Sequence, residues 1–334
     1  MPYYSSVYGL TIQLNEQVPG IAVENSTAEQ PDIQITFGAM PSWFRSEASD
    51  KVIWYVNPNS GPGETPRLVV WNLPAFDHYH VKYADETEFL IDKQGTRIWA
   101  TWPIRTLTVE DTATYLLGPM MGFVLLLRGC ISLHACAVAI DDRAVAIVGP
   151  AGAGKSTTAA ALADQGYSIL AEDVVTLQDL NDQFLVQPAY PCIRLWPSSI
   201  KALYGEGTEL PKLTPTWDKC YLDLTQDQYQ FQKHALPLSA IYLLDERSDD
   251  PSAPSVRPLS QSEAMVSLIA NTYATYLMDK TMRAREFDLL SRVLKSIPVR
   301  KVVPHTDPAL ISALCKTIIT DFANLESPNQ ALHV

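Results

Sequence analysis

Across residues 1–107, apolar and polar positions alternate in short runs, at 9–14, 32–37, 52–56 and 68–71, with turn-forming residues between them. A spacing of two places one set of side chains on one face of a strand, so these runs predict half-buried β-strands. Runs at 79–84 and 88–92 predict a hairpin, and Gln94-Gly95 turns the chain into a further strand over 97–102. The Asn, Pro, Ser and Gly residues of 57–63 predict a loop. No repeat is visible, and the segment reads as a small β-rich domain.

Near Thr108 the period changes to that of a helix. Thr108 and Asp111 have capping-box spacing ahead of an apolar stretch that runs to Arg128. The domain boundary is therefore expected at residue 107, with a second domain over 108–334. In that part, 132–140 predicts a strand, Asp141-Asp142 a turn, and 144–148 a second strand feeding a glycine-rich loop and an Ala-rich helix from Thr157. The strand expected over 166–177 is interrupted by two adjacent acids, Glu172 and Asp173. Further strands are expected at 240–245 and 299–303, and loops at 212–217 and 249–254. Ser260 and Glu263 form a capping box that opens a helix, 283–294 continues the helical pattern to the stop at Pro298, and 307–322 predicts a terminal helix.

Length and composition fit two globular domains. The chain has 334 residues, 47% hydrophobic and 19% charged. Its net charge of −12 argues against nucleic acid or an anionic membrane as partner, because either is met by a basic surface. The five cysteines are scattered without C-x-x-C spacing, which indicates neither a disulfide framework nor a zinc site. The amino terminus lacks a basic segment followed by an apolar one. The longest apolar run, 116–127, is short for a membrane span and contains Gly118, Pro119 and Gly122. A soluble cytoplasmic protein is expected, with self-association left open.

The chemistry concentrates at Gly149-Pro150-Ala151-Gly152-Ala153-Gly154-Lys155-Ser156-Thr157, a complete G-x-x-x-x-G-K-[ST] sequence between a strand and a helix. Its glycines let the backbone N–H groups converge on a phosphate at the helix start. Lys155 is placed for the β- and γ-phosphates and Ser156 for Mg²⁺, so ATP and Mg²⁺ are the expected cofactors. Phosphoryl transfer also needs a further metal-side carboxylate and a group on the acceptor hydroxyl. Glu172-Asp173 is one candidate pair. Asp245-Glu246, at the end of an apolar run, is another, but no L-S-G-G-Q-like segment precedes it, and those acids read as the polar end of a strand. His78 and His80 share a strand face, with no further ligand placed beside them.

Leu133-His134-Ala135, the glycine-rich loop through Thr157, the helix after it and the strand with its acidic pair resemble the HPr kinase/phosphorylase family, and Tyr190-Pro191-Cys192-Ile193-Arg194-Leu195-Trp196-Pro197 adds to a narrower likeness. Within it, the forms L-H-A-x-A-V, G-P-A-G-A-G-K-S-T-T and L-A-E-D-V-V are similar to the HPr kinase-like proteins of lasso-peptide and related peptide-tailoring clusters. The likeness is good over about 128–197 and holds in outline to 323. It implies an α/β fold with a P-loop kinase core of the HPr kinase/phosphoenolpyruvate carboxykinase type, behind a small β-rich domain. It also implies transfer of the γ-phosphoryl group to a Ser or Thr hydroxyl of a peptide or small protein.

By the same resemblance, Lys155 and Ser156 handle phosphate and metal, His134 lies near the transferred phosphate, and Arg194 joins the nucleotide site. Glu172 is assigned as base and Asp173 as metal ligand, an assignment that the sequence leaves exchangeable. Two positions depart from the family. Glu172 stands where HPr kinases have an aspartate, and Cys192 stands where a glutamate is expected before the arginine. A nucleotide-gated binding module and a kinase acting on a small-molecule hydroxyl are the alternative readings.

Overall fold

A computed structural model describes residues 2–23, 30–44, 50–58, 64–181 and 183–330. The loop expected at 57–63 falls outside the described residues from position 59 onward. The chain is a mixed α/β protein that divides into two compact units, and each is described by itself. The first comprises Met1–Cys130, Thr214–Trp217 and Ala274–Arg283; the second comprises Ile131–Leu213, Asp218–Tyr273 and Ala284–Val334.

The first unit is built on one eight-stranded sheet. Its strands are β1 (Tyr3–Val7), β2 (Leu10–Leu14), β3 (Ile33–Phe37), β4 (Val52–Val56), β5 (Leu68–Leu73), β6 (His78–Tyr83), β7 (Glu88–Asp92) and β8 (Arg97–Thr101), in the order β1-β2-β3-β8-β7-β6-β5-β4. β3 runs parallel to both β2 and β8, and the other pairs are antiparallel. In β3 the alternation is the predicted one, with Ile33, Ile35 and Phe37 buried between more exposed positions. β1 was not expected from the sequence, because its outward positions carry Tyr and Ser.

After the sheet come α1 (Val109–Tyr115), a π turn over Leu116–Met120 and α2 (Met121–Leu127). Thr108 donates through both its backbone N–H and its hydroxyl to Asp111, at 2.9 and 3.1 Å, which fixes the start of α1. The helical stretch is opened at Gly118-Pro119, since proline offers no N–H to the ladder. The expected boundary at 107 differs from the observed division after Cys130. The apolar helix stays with the sheet it covers: Tyr8 donates to the Leu117 carbonyl, and the Tyr79 and Phe123 rings meet edge to face at 5.1 Å. The chain also returns to this unit twice. Thr216 donates to Asp111, and Trp54 Nε1 donates to the Leu277 carbonyl at 3.1 Å.

The second unit carries β9 (Ile131–Ile140), β10 (Arg143–Val148), α3 (Lys155–Asp164), β11 (Ile169–Ala171), β12 (Val174–Asp179), β13 (Phe184–Val186), β14 (Cys192–Leu195), α4 (Pro197–Tyr204), β15 (Cys220–Asp223), β16 (Leu236–Leu244), β17 (Ser255–Pro258), α5 (Gln261–Ala270), α6 (Lys280–Ser296, whose first turn is counted with the other unit), β18 (Val299–Val303) and α7 (Ile311–Gln330). The long strands β9 and β16 are each shared by two groups of partners. Pairing runs β10-β9-β12-β13-β16 and closes where β16 lies parallel to β10; β18 then continues parallel to β16, with β17 at its edge.

Asp141 and Asp142 both have positive φ, 48° and 57°, as a two-residue hairpin between β9 and β10 requires. Residues Ala240 to Leu244 of β16 are all buried, as expected of a strand with parallel neighbours on both sides. Their inner face packs with Val145, Ile147, Leu162, Ile193, Ile318 and Phe322. β10, β16 and β18 therefore end on the same side of the sheet, and that shared end positions the site.

Candidate functional site

β10 ends at Val148, and the chain curls through 149–154 before α3 begins at Lys155. Gly152 and Gly154 have φ of 81° and 106°, in the region open to glycine, so the sequence permits a curl that β-carbons would strain. At Gly149 the requirement is space: a Cβ there would lie 3.3 Å from the Leu244 carbonyl oxygen. The loop thus presses on the end of β16 and opens toward the first turn of α3. Lys155 is buried and donates to the carbonyls of Gly149 and Pro150 at 2.7 and 3.0 Å. Burial lowers its pKa from that of a free lysine, against the pull of Asp173 and Glu172.

The two acids that interrupt the predicted strand separate β11 from β12. The Val174 N–H bonds the Glu172 carbonyl at 2.9 Å across Asp173, whose φ is 70°. So tight a turn at a non-glycine residue is strained, and its effect is to present both carboxylates at one point. Glu172 is 3% exposed; it accepts from Ser156 Oγ at 2.7 Å and from Arg194 Nε at 3.1 Å. Asp173 keeps 22% of its side chain exposed. It accepts from Arg194 Nη2 at 2.8 Å and from Tyr273 OH at 3.1 Å, with His134 Nε2 at 3.3 Å. Burial alone would raise the Asp173 pKa; the charge of Arg194, helped by His134 and Lys219, outweighs it and holds the carboxyl well below the usual range.

Each remaining partner is fixed by its strand. His134 on β9 pairs across to Val174, and the next residue, Ala135, pairs with Val148 at the end of β10. Arg194 lies on β14, which pairs antiparallel with β15 in a two-stranded sheet, and is buried with the Tyr190 ring 6.0 Å from its guanidinium carbon. Cys192, two residues earlier, is buried, and desolvation pushes its thiol up to about 12, so it offers no ready anionic ligand in place of the glutamate expected there. Lys219 holds its ammonium over the Trp196 ring, 5.6 Å from the centroid.

Gly149, Pro150, Ala151, Gly152, Ala153, Gly154, Lys155, Ser156 and Thr157 form the continuous loop and helix start, and His134, Glu172, Asp173 and Arg194 are brought together beside it. The pairing within the group is unlike the expected one: Ser156 meets Glu172, and Asp173 meets His134. Sequence reasoning missed Tyr273, a hundred positions from Asp173, which no local pattern links to the site. It also missed Arg247, whose Nη2 lies 3.4 Å from where a Cβ on Gly154 would stand. The signal was available in the run Asp245-Glu246-Arg247 after β16, where only the acids attracted interest. Asp245 pairs with Lys301. In the first unit, both His80 nitrogens are engaged, by Glu88 at 2.9 Å and Lys51 at 3.0 Å, which leaves that ring no lone pair for a metal.

The donors fit the expected cofactors. Ser156 and Glu172 offer two hard oxygens side by side, suited to Mg²⁺ with water completing its shell, and the loop offers N–H groups and a lysine to phosphate. No helix among the described residues is long and apolar enough to cross a membrane. No protein-family model matches the chain, and no curated protein matches it. A solved structure, the Hpr(Ser) kinase/phosphatase from Coxiella burnetii, is similar at a TM-score of 0.34 and 17% identity, over 60% of this chain and 96% of that one. So remote a likeness carries no argument about activity.

Proposed function

We propose that this chain is a kinase that transfers the γ-phosphoryl group of ATP to a Ser or Thr hydroxyl of a peptide or small protein. The observation that carries the reading is the junction of the 149–155 loop with two carboxylates in different settings, one enclosed against Ser156 and one partly exposed. The loop amides and Lys155 bind the phosphate chain, and Ser156 with Glu172 holds Mg²⁺. Bound Mg²⁺ supplies charge neutralisation of the phosphates. Asp173 is the acid that an acceptor can reach; it orients the incoming hydroxyl and takes its proton as the new P–O bond forms and the bond from the γ-phosphorus to the bridging oxygen breaks, releasing ADP. His134, Tyr273 and Arg194 hold the Asp173 carboxylate in place and ionised. The roles first assigned to Glu172 and Asp173 are thereby exchanged, because Glu172 is closed off behind Ser156. The peptide acceptor rests on the sequence resemblance over 128–197.

Intact-mass spectrometry of small proteins encoded beside this one, after incubation with ATP and Mg²⁺, tests the reading. A gain of one phosphate is expected with the wild type and is lost in Lys155→Ala. Asp173→Asn is expected to cut the rate by about 10²-fold or more while ATP still binds. Full activity in Asp173→Asn would overturn its role. ATP binding with no acceptor in any such set would favour a nucleotide-gated module.

A further inference from the structure

The two-stranded sheet of β14 and β15 turns one face to the core and the other to the acid pair. Side chains alternate across a strand, and Ile193, Leu195, Cys220 and Leu222 pack inward. The opposite face carries Arg194 with Tyr221 directly across from it. One step further along the same face come Trp196 and Lys219, next in register after the Leu195–Cys220 pair. Trp196 keeps an extended backbone, φ −76° and ψ 155°, before α4 begins, so the alternation holds through it.

Burial changes along this face. Arg194 is 7% exposed where it grips Asp173, whereas Trp196 is 52% exposed and Lys219 is half-buried. The face therefore runs outward from the more open of the two acids to solvent. The charge of Lys219 reaches the inner end, because it helps to lower the pKa of both Asp173 and Lys155.

Lys219 makes no ion pair among the described residues. Glu172 and Asp173 are taken by Arg194, and the adjacent carboxylate, Asp218, lies 3.4 Å from Lys212 Nζ. The Lys219 ammonium instead rests over the exposed indole, and the Lys219 backbone is fixed, since its carbonyl accepts the Leu213 N–H at 2.9 Å. A large exposed ring beside an unclaimed cation suits a chain that carries both an apolar group and an anion. In a protein of net charge −12, such a point of positive charge discriminates among peptides by their own charge.

We propose that the Trp196–Lys219 end of this face binds the acceptor segment, the ring packing against the peptide beside the reactive Ser or Thr and the ammonium pairing with an acidic side chain close to that hydroxyl; the proposal rests on the reading of the chain as a peptide kinase. The acceptor is the favoured occupant because its hydroxyl must come to Asp173 from solvent, and this face joins the two.

A positional-scanning library of Ser-centred peptides, with Asp, Asn or Lys fixed in turn at each flanking position, is phosphorylated by the full chain with Mg·ATP. The wild type is expected to favour Asp over Lys near the serine by about threefold or more in kcat/KM. Lys219→Glu is expected to reverse that order, and because the readout is a ratio between peptides, a general effect of the variant on Asp173 divides out. Trp196→Ala is expected to raise KM by about threefold or more for all the peptides. Mg·ATP affinity, read by calorimetry, is expected to change by less than about twofold in both variants. Phosphorylation of the library by the wild type with no preference for Asp, a preference that survives Lys219→Glu, or a loss of Mg·ATP affinity in either variant would overturn the assignment and leave the kinase reading standing. Phosphate on no peptide, with Mg·ATP bound, would remove the peptide acceptor and this proposal with it.

Discussion

A single guanidinium bridges two adjacent acids. Glu172 and Asp173 share Arg194, and removing one partner of a buried ionic group leaves uncompensated charge behind. Arg194→Met is therefore expected to destabilise the fold by about 3–5 kcal/mol in urea unfolding. The same variant changes the acid limb. Because the Asp173 pKa is lowered on folding, its contribution is full above the unfolded pKa of about 4 and is lost as pH falls through the folded value. Without Arg194 the folded value rises, so the loss of the Asp173 contribution begins at higher pH. At this scale the sequence named Lys155 from the glycine-rich loop motif, Glu172 and Asp173 as acids interrupting an apolar strand, and His134 and Arg194 through the family resemblance. It did not pair them, because pairing depends on which side of a strained turn each carboxylate faces.

The element that matters most is the strand, loop and helix from β10 to α3. Its backbone, more than its side chains, is specified by glycine. Gly154→Ala meets open space apart from Arg247 yet must hold φ near 106°, so a destabilisation of about 1 kcal/mol or more is expected from thermal unfolding. A stability equal to the wild type would show that the loop relaxes into another conformation. Elements with clean periods or caps were legible: β3, β10 and α5 occupy their expected positions, Ser260 and Glu263 form their capping box, and the terminal helix, expected at 307–322, is present but runs over Ile311–Gln330. β13, β15 and β17 were not. They have three or four residues each, too few to display a period, and they exist because neighbouring strands offer them hydrogen bonds.

At the scale of the molecule, every residue of the candidate site belongs to the second unit. Binding of Mg·ATP is therefore expected to slow amide exchange in 149–157 and 171–174 and to leave β1 to β8 unchanged, as read by mass spectrometry. Protection spreading through those strands would mean that the first unit also responds to the nucleotide. The division of the chain was only partly visible beforehand. Thr214–Trp217 and Ala274–Arg283 belong with the first unit although they lie far along the sequence, and no composition shift marks such returns.

The sequence by itself determined the β-rich beginning, the glycine loop with its lysine and serine, and the acidic pair that breaks a strand, because each depends on local backbone preference and residue chemistry. Only the tertiary structure decided which acid lies behind Ser156, that Tyr273 reaches Asp173, and that Arg247 stands over Gly154. Those contacts are made between strands and loops distant in sequence, and the closed pairing of β9, β10, β12, β13 and β16 brings them together.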